Sequence, residues 1–214
     1  MLVNRVMTKN PLFIQQDMSI NEVRSIMEKE KIGHLPVLDK KNNLIGLVTK
    51  EDLAKAMPST ATSLDMYEIS YLLSKMIVKD VMKKTVVTVE ESEVVEEAAR
   101  IMADKRIGCL PVMRGKLLVG IITDTDLFRI FVNSFGARYP GVRISCSMQE
   151  KPGEIAKLTH EIAEKGGNII AFITAEGDDL SRRRVTVKTE GISRETLEGI
   201  IKSLPGAEIE DIRE

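Results

Sequence analysis

The chain has 214 residues, 43% of them hydrophobic, with 31 basic against 32 acidic side chains and a formal net charge of -1. That balance gives no electrostatic reason to expect nucleic acid or an anionic membrane as partner, and the length exceeds the usual single-domain size of roughly 100 to 150 residues, so two or three compact units are expected. The two cysteines, Cys109 and Cys146, belong to no CxxC or Cys/His cluster, which disfavours a zinc site or disulfide framework and predicts free, buried thiols.

The opening stretch MLVNRVMTKN lacks the apolar core of a signal peptide, and runs such as LLVGII at 117–122 are too short to span a bilayer, so a soluble, cytoplasmic protein is expected. A short strand at FIQ precedes a helix with Ile20, Val23, Ile26 and Met27 on one face and a capping box at Ser19 and Glu22. Gly33 falls where helices commonly stop with a left-handed residue, and Leu35, preceding Pro36, is biased to extended geometry. HLPVLD, KKNN and LIGLVT then read as strand, turn and strand, followed by a second helix at KEDLAKAM.

The same order returns. IGHLPV (32–37) and IGCLPV (107–112) are offset by 75 residues, 109 minus 34, and that shift also brings Val6-Met7 onto Val81-Met82 and Ile26-Met27 onto Ile101-Met102. After a one-residue deletion LIGLVTKEDL (44–53) meets LVGIITDTDL (118–127). The second copy has VVTV as its first strand, Val95, Ala98, Ile101 and Met102 on a helix face, a stop at Gly108, Leu110 before Pro111, and RGK as the turn. Each copy is a strand-helix-strand-strand-helix unit with one sheet face to cover, so stacking of the two is expected. Between them, Leu64, Tyr67, Tyr71 and Leu72 have helical spacing suited to packing the repeats or a second subunit together.

The grammar changes after Phe135 at GARYPG. Val142, Ile144, Cys146 and Met148 alternate with polar residues as in a half-buried strand; KPGE opens a helix with Ile155, Leu158, Thr159 and Ile162 on one face, stopped at Gly166-Gly167. NIIAFITA and RRVTVK flank the turn EGDD, a helix carries Leu197, Ile200, Ile201 and Leu204, and AEIEDI closes a βαββαβ order.

The doubled LPV element followed by GhhTxxDL resembles a tandem pair of CBS domains, a Bateman module. The last segment, with EKPGEIAKL and GGNI, resembles an ACT domain, and the combination is similar to the acetoin utilization protein (AcuB) family. The resemblance implies an α/β chain of α+β-type units: CBS domains at 3–57 and 78–135, an inter-repeat helical linker at 58–77, a linker at 136–141 and a ferredoxin-like ACT domain at 142–214. It implies a homodimeric regulatory protein, not an enzyme, that binds an adenosine nucleotide (AMP, ADP or ATP) in the CBS pair and an amino acid or related carboxylate at the ACT domain. An acetoin or acetate metabolic setting and an unidentified protein partner go with it. The alternative is a ligand-independent oligomerisation adaptor.

Thr49 with Asp52 and Thr123 with Asp126 fit Thr-x-x-Asp capping boxes, which account for both pairs without any ligand. Capping does not require Gly46 and Gly120, whose place inside apolar strands marks close approach of a ligand or another backbone. A carboxylate can accept both hydroxyls of a ribose, while a threonine hydroxyl and helix N-terminal amides can donate to phosphate. The resemblance gives the aspartates the ribose and the threonines the ribose or phosphate, with Gly33, Pro36 and Pro111 on the same elements. Around them the first copy has Lys31, His34 and Lys50 where the second has Arg106, Cys109 and Asp124, so a charged nucleotide is expected to prefer the Asp52 site. For His34 a structural role is the simpler expectation. Pro152 and Gly153 offer amides to a carboxylate, and Asn168 sits where some ACT domains hold an amino acid, although ordinary helix start and stop signals also explain these residues. Arg182-Arg183-Arg184 beside EGDD reads as a solvated hairpin. Neither His34 nor His160 has a nucleophile or carboxylate partner at motif spacing, and no Walker, GxSxG or HExxH sequence nominates catalysis.

Overall fold

The computed structural model describes residues 1–56, Asp65, Tyr71 and residues 75–214. Most of the inter-repeat stretch, including Leu64, Tyr67 and Leu72, therefore lies outside the described residues. The chain divides into two compact units, Met1–Leu127 and Phe128–Glu214.

In the first unit, copy one is built from β2 (Ile14–Gln15), α1 (Ile20–Lys29), β3 (His34–Leu38), β4 (Leu44–Thr49) and α2 (Lys50–Ala56). Copy two follows a short helix, α3 (Val78–Val81), with β5 (Val89–Glu90), α4 (Val95–Lys105), β6 (Cys109–Arg114), β7 (Leu117–Thr123) and α5 (Asp124–Ser134), and the unit division falls within α5. The Ser19 capping box forms: its hydroxyl accepts from Glu22 N at 3.2 Å, and its own amide donates to Glu22 Oε2 at 3.2 Å. Both first helices end earlier than the glycines suggest. Lys31 (φ 55°) and Arg106 (φ 52°) are the left-handed residues, and Ile32 N and Ile107 N reach back to Met27 O and Met102 O at 3.0 Å. The turn closes on an apolar residue, Ile32 or Ile107, as a Schellman ending does, which leaves Gly33 and Gly108 one or two positions beyond it with ordinary φ.

β3 pairs antiparallel with β4 and parallel with β2, and β6 pairs likewise with β7 and β5. Pro36 and Pro111 lie in middle strands, which proline normally avoids because it lacks an N–H. Each precedes the first parallel pair, Ile14↔Val37 or Val89↔Val112, so the missing donor falls where no parallel neighbour needs it. Ile14, Ile20, Val23, Met27, Leu35, Val37, Val48, Leu53 and Val78 form the first core. Their repeat partners Val95, Ala98, Met102, Leu110, Val112 and Ile122 are equally buried. Each large side chain buried this way contributes about 1.5–3 kcal/mol.

The copies exchange their leading segments. β1 (Thr8–Lys9) does not join the first sheet; it pairs with β7 of copy two, Thr8↔Ile121 and Lys9↔Gly120. In return Ile77 bridges Ser19 and Lys83 bridges Leu47, placing the lead of copy two on copy one. Gly46 and Gly120 are thereby explained: a methyl built on Gly46 would lie 2.6 Å from Met82 Sδ and 3.2 Å from Lys83 O, and one on Gly120 would collide with Met7 Sδ. The close approach expected at these glycines is made by the other copy's leading methionine.

The second unit contains β8 (Val142–Gln149), α6 (Glu154–Glu164), β9 (Asn168–Glu176), β10 (Arg182–Glu190), α7 (Arg194–Ser203) and β11 (Glu208–Arg213). Its antiparallel sheet runs β11-β8-β10-β9, which is a split β-α-β unit used twice. The inward positions of β8 meet Leu158, Ile162, Leu197, Ile200, Ile201 and Leu204 from the two helices. Ile155 departs from the helix face expected for it and is 41% exposed. The polar side of β8 is also more buried than simple alternation implies, because Ser145 Oγ lies 2.7 Å from Thr186 Oγ1 and Arg182 Nε donates to Ser147 Oγ at 2.7 Å. Arg183 pairs with Glu150 just after β8, and Arg184 with Asp178 of its own hairpin turn and Glu210 of β11, so the arginine run is neutralised by acidic residues of the same unit.

Candidate functional site

Each central hairpin ends in a threonine that starts a helix. Thr49 N and Thr49 Oγ1 donate to Asp52 Oδ2 at 3.0 and 2.7 Å, and Asp52 N donates back to Thr49 Oγ1 at 3.2 Å. The second copy repeats this: Thr123 N and Oγ1 reach Asp126 Oδ2 at 2.9 and 2.8 Å, and Asp126 N reaches Thr123 Oγ1 at 3.4 Å. Asp52 and Asp126 are 9% and 5% exposed, so each threonine-aspartate turn holds a carboxylate at an equivalent, recessed place in its copy. Capping uses Oδ2 in each case. At Asp52 the other oxygen, Oδ1, faces Lys83 Nζ at 3.4 Å.

Strand register sets the neighbours. His34 lies opposite Thr49 and Cys109 opposite Thr123, so the differing residues of the LPV hexapeptides stand beside the two threonines. Leu47, Cys109 and Ile121 form a small apolar cluster joining the copies. A methyl built on Gly108 would lie 3.2 Å from Asp124 Oδ2 and 3.4 Å from His34 Nε2, so His34 of copy one meets the start of α5 in copy two across this glycine. Burial holds the His34 pKa below its usual 6.5, with Asp124 the chief opposing influence, followed by Glu51. A neutral imidazole at pH 7 suits a structural or hydrogen-bonding role better than phosphate binding. Burial pushes the Cys109 thiol up to about 12, and Cys146 up to about 11, and both are free.

Other expected site residues lie elsewhere. Lys50 donates its backbone amide to Gly33 O at 3.0 Å. Its side chain lines a groove of about 320 Å³ with Arg24, Met27, Glu28 and Leu53, between α1 and α2. The charge contrast of Lys50 with Asp124 therefore does not describe the two recesses. Arg106 and Lys31 serve as left-handed helix ends. Sequence alone does not nominate Lys83; its signal is that Lys83 follows Val81-Met82 as Thr8 follows Val6-Met7. In the second unit Gly153 (φ 93°) is the N-cap of α6 beside exposed Pro152, and Asn168 Nδ2 is bound to Glu190 Oε1 at 2.7 Å. That cross-strand bond explains Asn168 without an amino acid. Among the described residues no group of three or more His, Cys, Asp or Glu side chains could hold a metal ion, and no helix is long and apolar enough to cross a membrane.

Comparison with known proteins identifies the doubled hairpin. The CBS domain model matches residues 3–59 and 78–133, more than half of the chain. A CBS domain-containing protein of Dictyostelium discoideum is 31% identical over 132 residues, 61% of this chain and 91% of its own length. The L-aspartate semialdehyde sulfurtransferase of Methanocaldococcus jannaschii is 30% identical over 131 residues, and the chain spans only 23% of that enzyme. Among solved structures, one assigned to acetoin utilization (AcuB) from Vibrio cholerae has 31% identity and a TM-score of 0.54, covering 64% of this chain and 95% of that one. A CBS domain pair in complex with 5′-methylthioadenosine and S-adenosyl-L-methionine has 29% identity and a TM-score of 0.53, over 65% and 98% of the two chains. A further structure in complex with AMP has 28% identity and a TM-score of 0.50, over 61% and 96%.

Proposed function

The chain belongs to the CBS domain family, and from that premise we propose that it is a regulatory ligand sensor whose two Thr-x-x-Asp recesses bind adenosine compounds. The observation that carries this reading is the pair of buried aspartates, each held by its threonine through Oδ2 at the start of a helix, a carboxylate type that can accept from both hydroxyls of a ribose. Similar CBS pairs solved with AMP, 5′-methylthioadenosine and S-adenosyl-L-methionine support the ligand class. Proteins with CBS pairs are generally regulatory, although several relatives carry enzyme names in which the matching part is a small share of the whole. The split β-α-β order of the second unit supports an ACT-type output module, and the likeness to the AcuB structure supports an acetoin or acetate setting; a homodimer is part of the same proposal. We assign no ligand to that unit, since the amide of Asn168 is already tied to Glu190.

Binding calorimetry of the full chain with AMP and with 5′-methylthioadenosine tests the reading. Saturable binding of at least one compound is expected, and Asp52→Ala with Asp126→Ala together should abolish it. Binding that survives the double substitution, or no binding to the unaltered chain, overturns the proposal.

A further inference from the structure

The exchanged leading segments make the two recesses chemically unequal. Lys83 and Thr8 occupy equivalent places: Lys83 is bridged to Leu47 as Thr8 is paired with Ile121, and Met82 and Met7 lie on Gly46 and Gly120 just before them. At the Asp52 recess this place delivers an ammonium 3.4 Å from Asp52 Oδ1, on a half-exposed side chain with room to swing. At the Asp126 recess it delivers a neutral hydroxyl residue, Thr8. Three carboxylates, Asp124, Glu51 and Asp52, act on His34 together with one ammonium, that of Lys83.

Resting on the reading of these recesses as adenosine sites, we propose that Lys83 is the specificity residue that makes the Asp52 recess select phosphate-bearing adenosine ligands, a role the neutral Thr8 at the equivalent place cannot fill. In the empty recess Lys83 pairs with Asp52. A ribose diol takes over Asp52 Oδ1, and the displaced ammonium, on its flexible four-carbon stem, turns to the 5′-phosphate of the same ligand. A ligand without phosphate must break the pair and leave the ammonium with no anion. The lysine thus rewards one ligand class and penalises the other.

The test uses full-length protein with one recess disabled at a time, titrated with AMP and with 5′-methylthioadenosine. In an Asp126→Ala background, Lys83→Thr should weaken AMP by roughly tenfold or more while 5′-methylthioadenosine holds or tightens. In an Asp52→Ala background, Thr8→Lys should strengthen AMP at the remaining recess. Thermal unfolding reports whether each variant folds, and the gain expected from Thr8→Lys cannot arise from damage. Equal loss of both ligands on Lys83→Thr, or no change in their ratio with either variant, overturns the inference while leaving adenosine binding in place. Failure of the parent chain to bind either ligand removes the adenosine reading itself.

Discussion

His34 and Asp124 are both brought against Gly108 although they are 90 positions apart in the chain, 124 minus 34. Because burial depresses the His34 pKa in the folded chain, the unfolded state binds more protons through and below pH 6.5, and stability is present above that pH and declines as pH falls toward the folded pKa. Acidification from pH 7.5 to 5.5 should therefore lower the melting temperature, and His34→Gln should flatten that slope. A slope unchanged in His34→Gln would assign the acid sensitivity to other groups. The residues of the capping boxes were legible in sequence because Thr and Asp three apart have a local geometric meaning. The neighbours of His34 were not, since they depend on how two sheets face each other.

At the scale of strands and helices, the repeated glycines of β4 and β7 tell the same story. A strand glycine signals that something comes close without saying what, and here the visitor is Met82 or Met7 from the other copy. The two sites should respond differently to added bulk. At Gly46 a methyl also presses on the backbone carbonyl of Lys83, whereas at Gly120 the three nearest atoms all belong to the flexible Met7 side chain. Gly46→Ala should thus cost about 1–3 kcal/mol and Gly120→Ala less, as read by denaturant unfolding. An equal or reversed order would show that backbone contact does not decide the cost. The left-handed helix ends lie two residues before the glycines for a related reason: a left-handed lysine or arginine is unusual, so sequence reasoning assigns the turn to the nearby glycine.

For the whole molecule, the duplicated grammar and the βαββαβ order of the last segment were readable because hydrophobic periodicity and turn residues are local signals. The exchange of leading segments was not, because two-residue strands have too little pattern to name a partner. Removing residues 1–10 should harm copy two rather than copy one: it takes away buried Val3 and Met7, worth about 1.5–3 kcal/mol each, and bares the β7 edge. Hydrogen exchange should then accelerate in β7 and α4 while β3 and β4 remain protected. Faster exchange confined to copy one would contradict the pairing.

The crossing of β1 also limits how the module can be divided. Each half carries a piece that finishes its twin, so a chain severed between the duplicates yields two incomplete bodies, each with a vacancy shaped for a part of the other. Genes encoding such a module are bound to inherit it as a couple, and recombination that moves one half alone delivers an unfinished sheet to its new host.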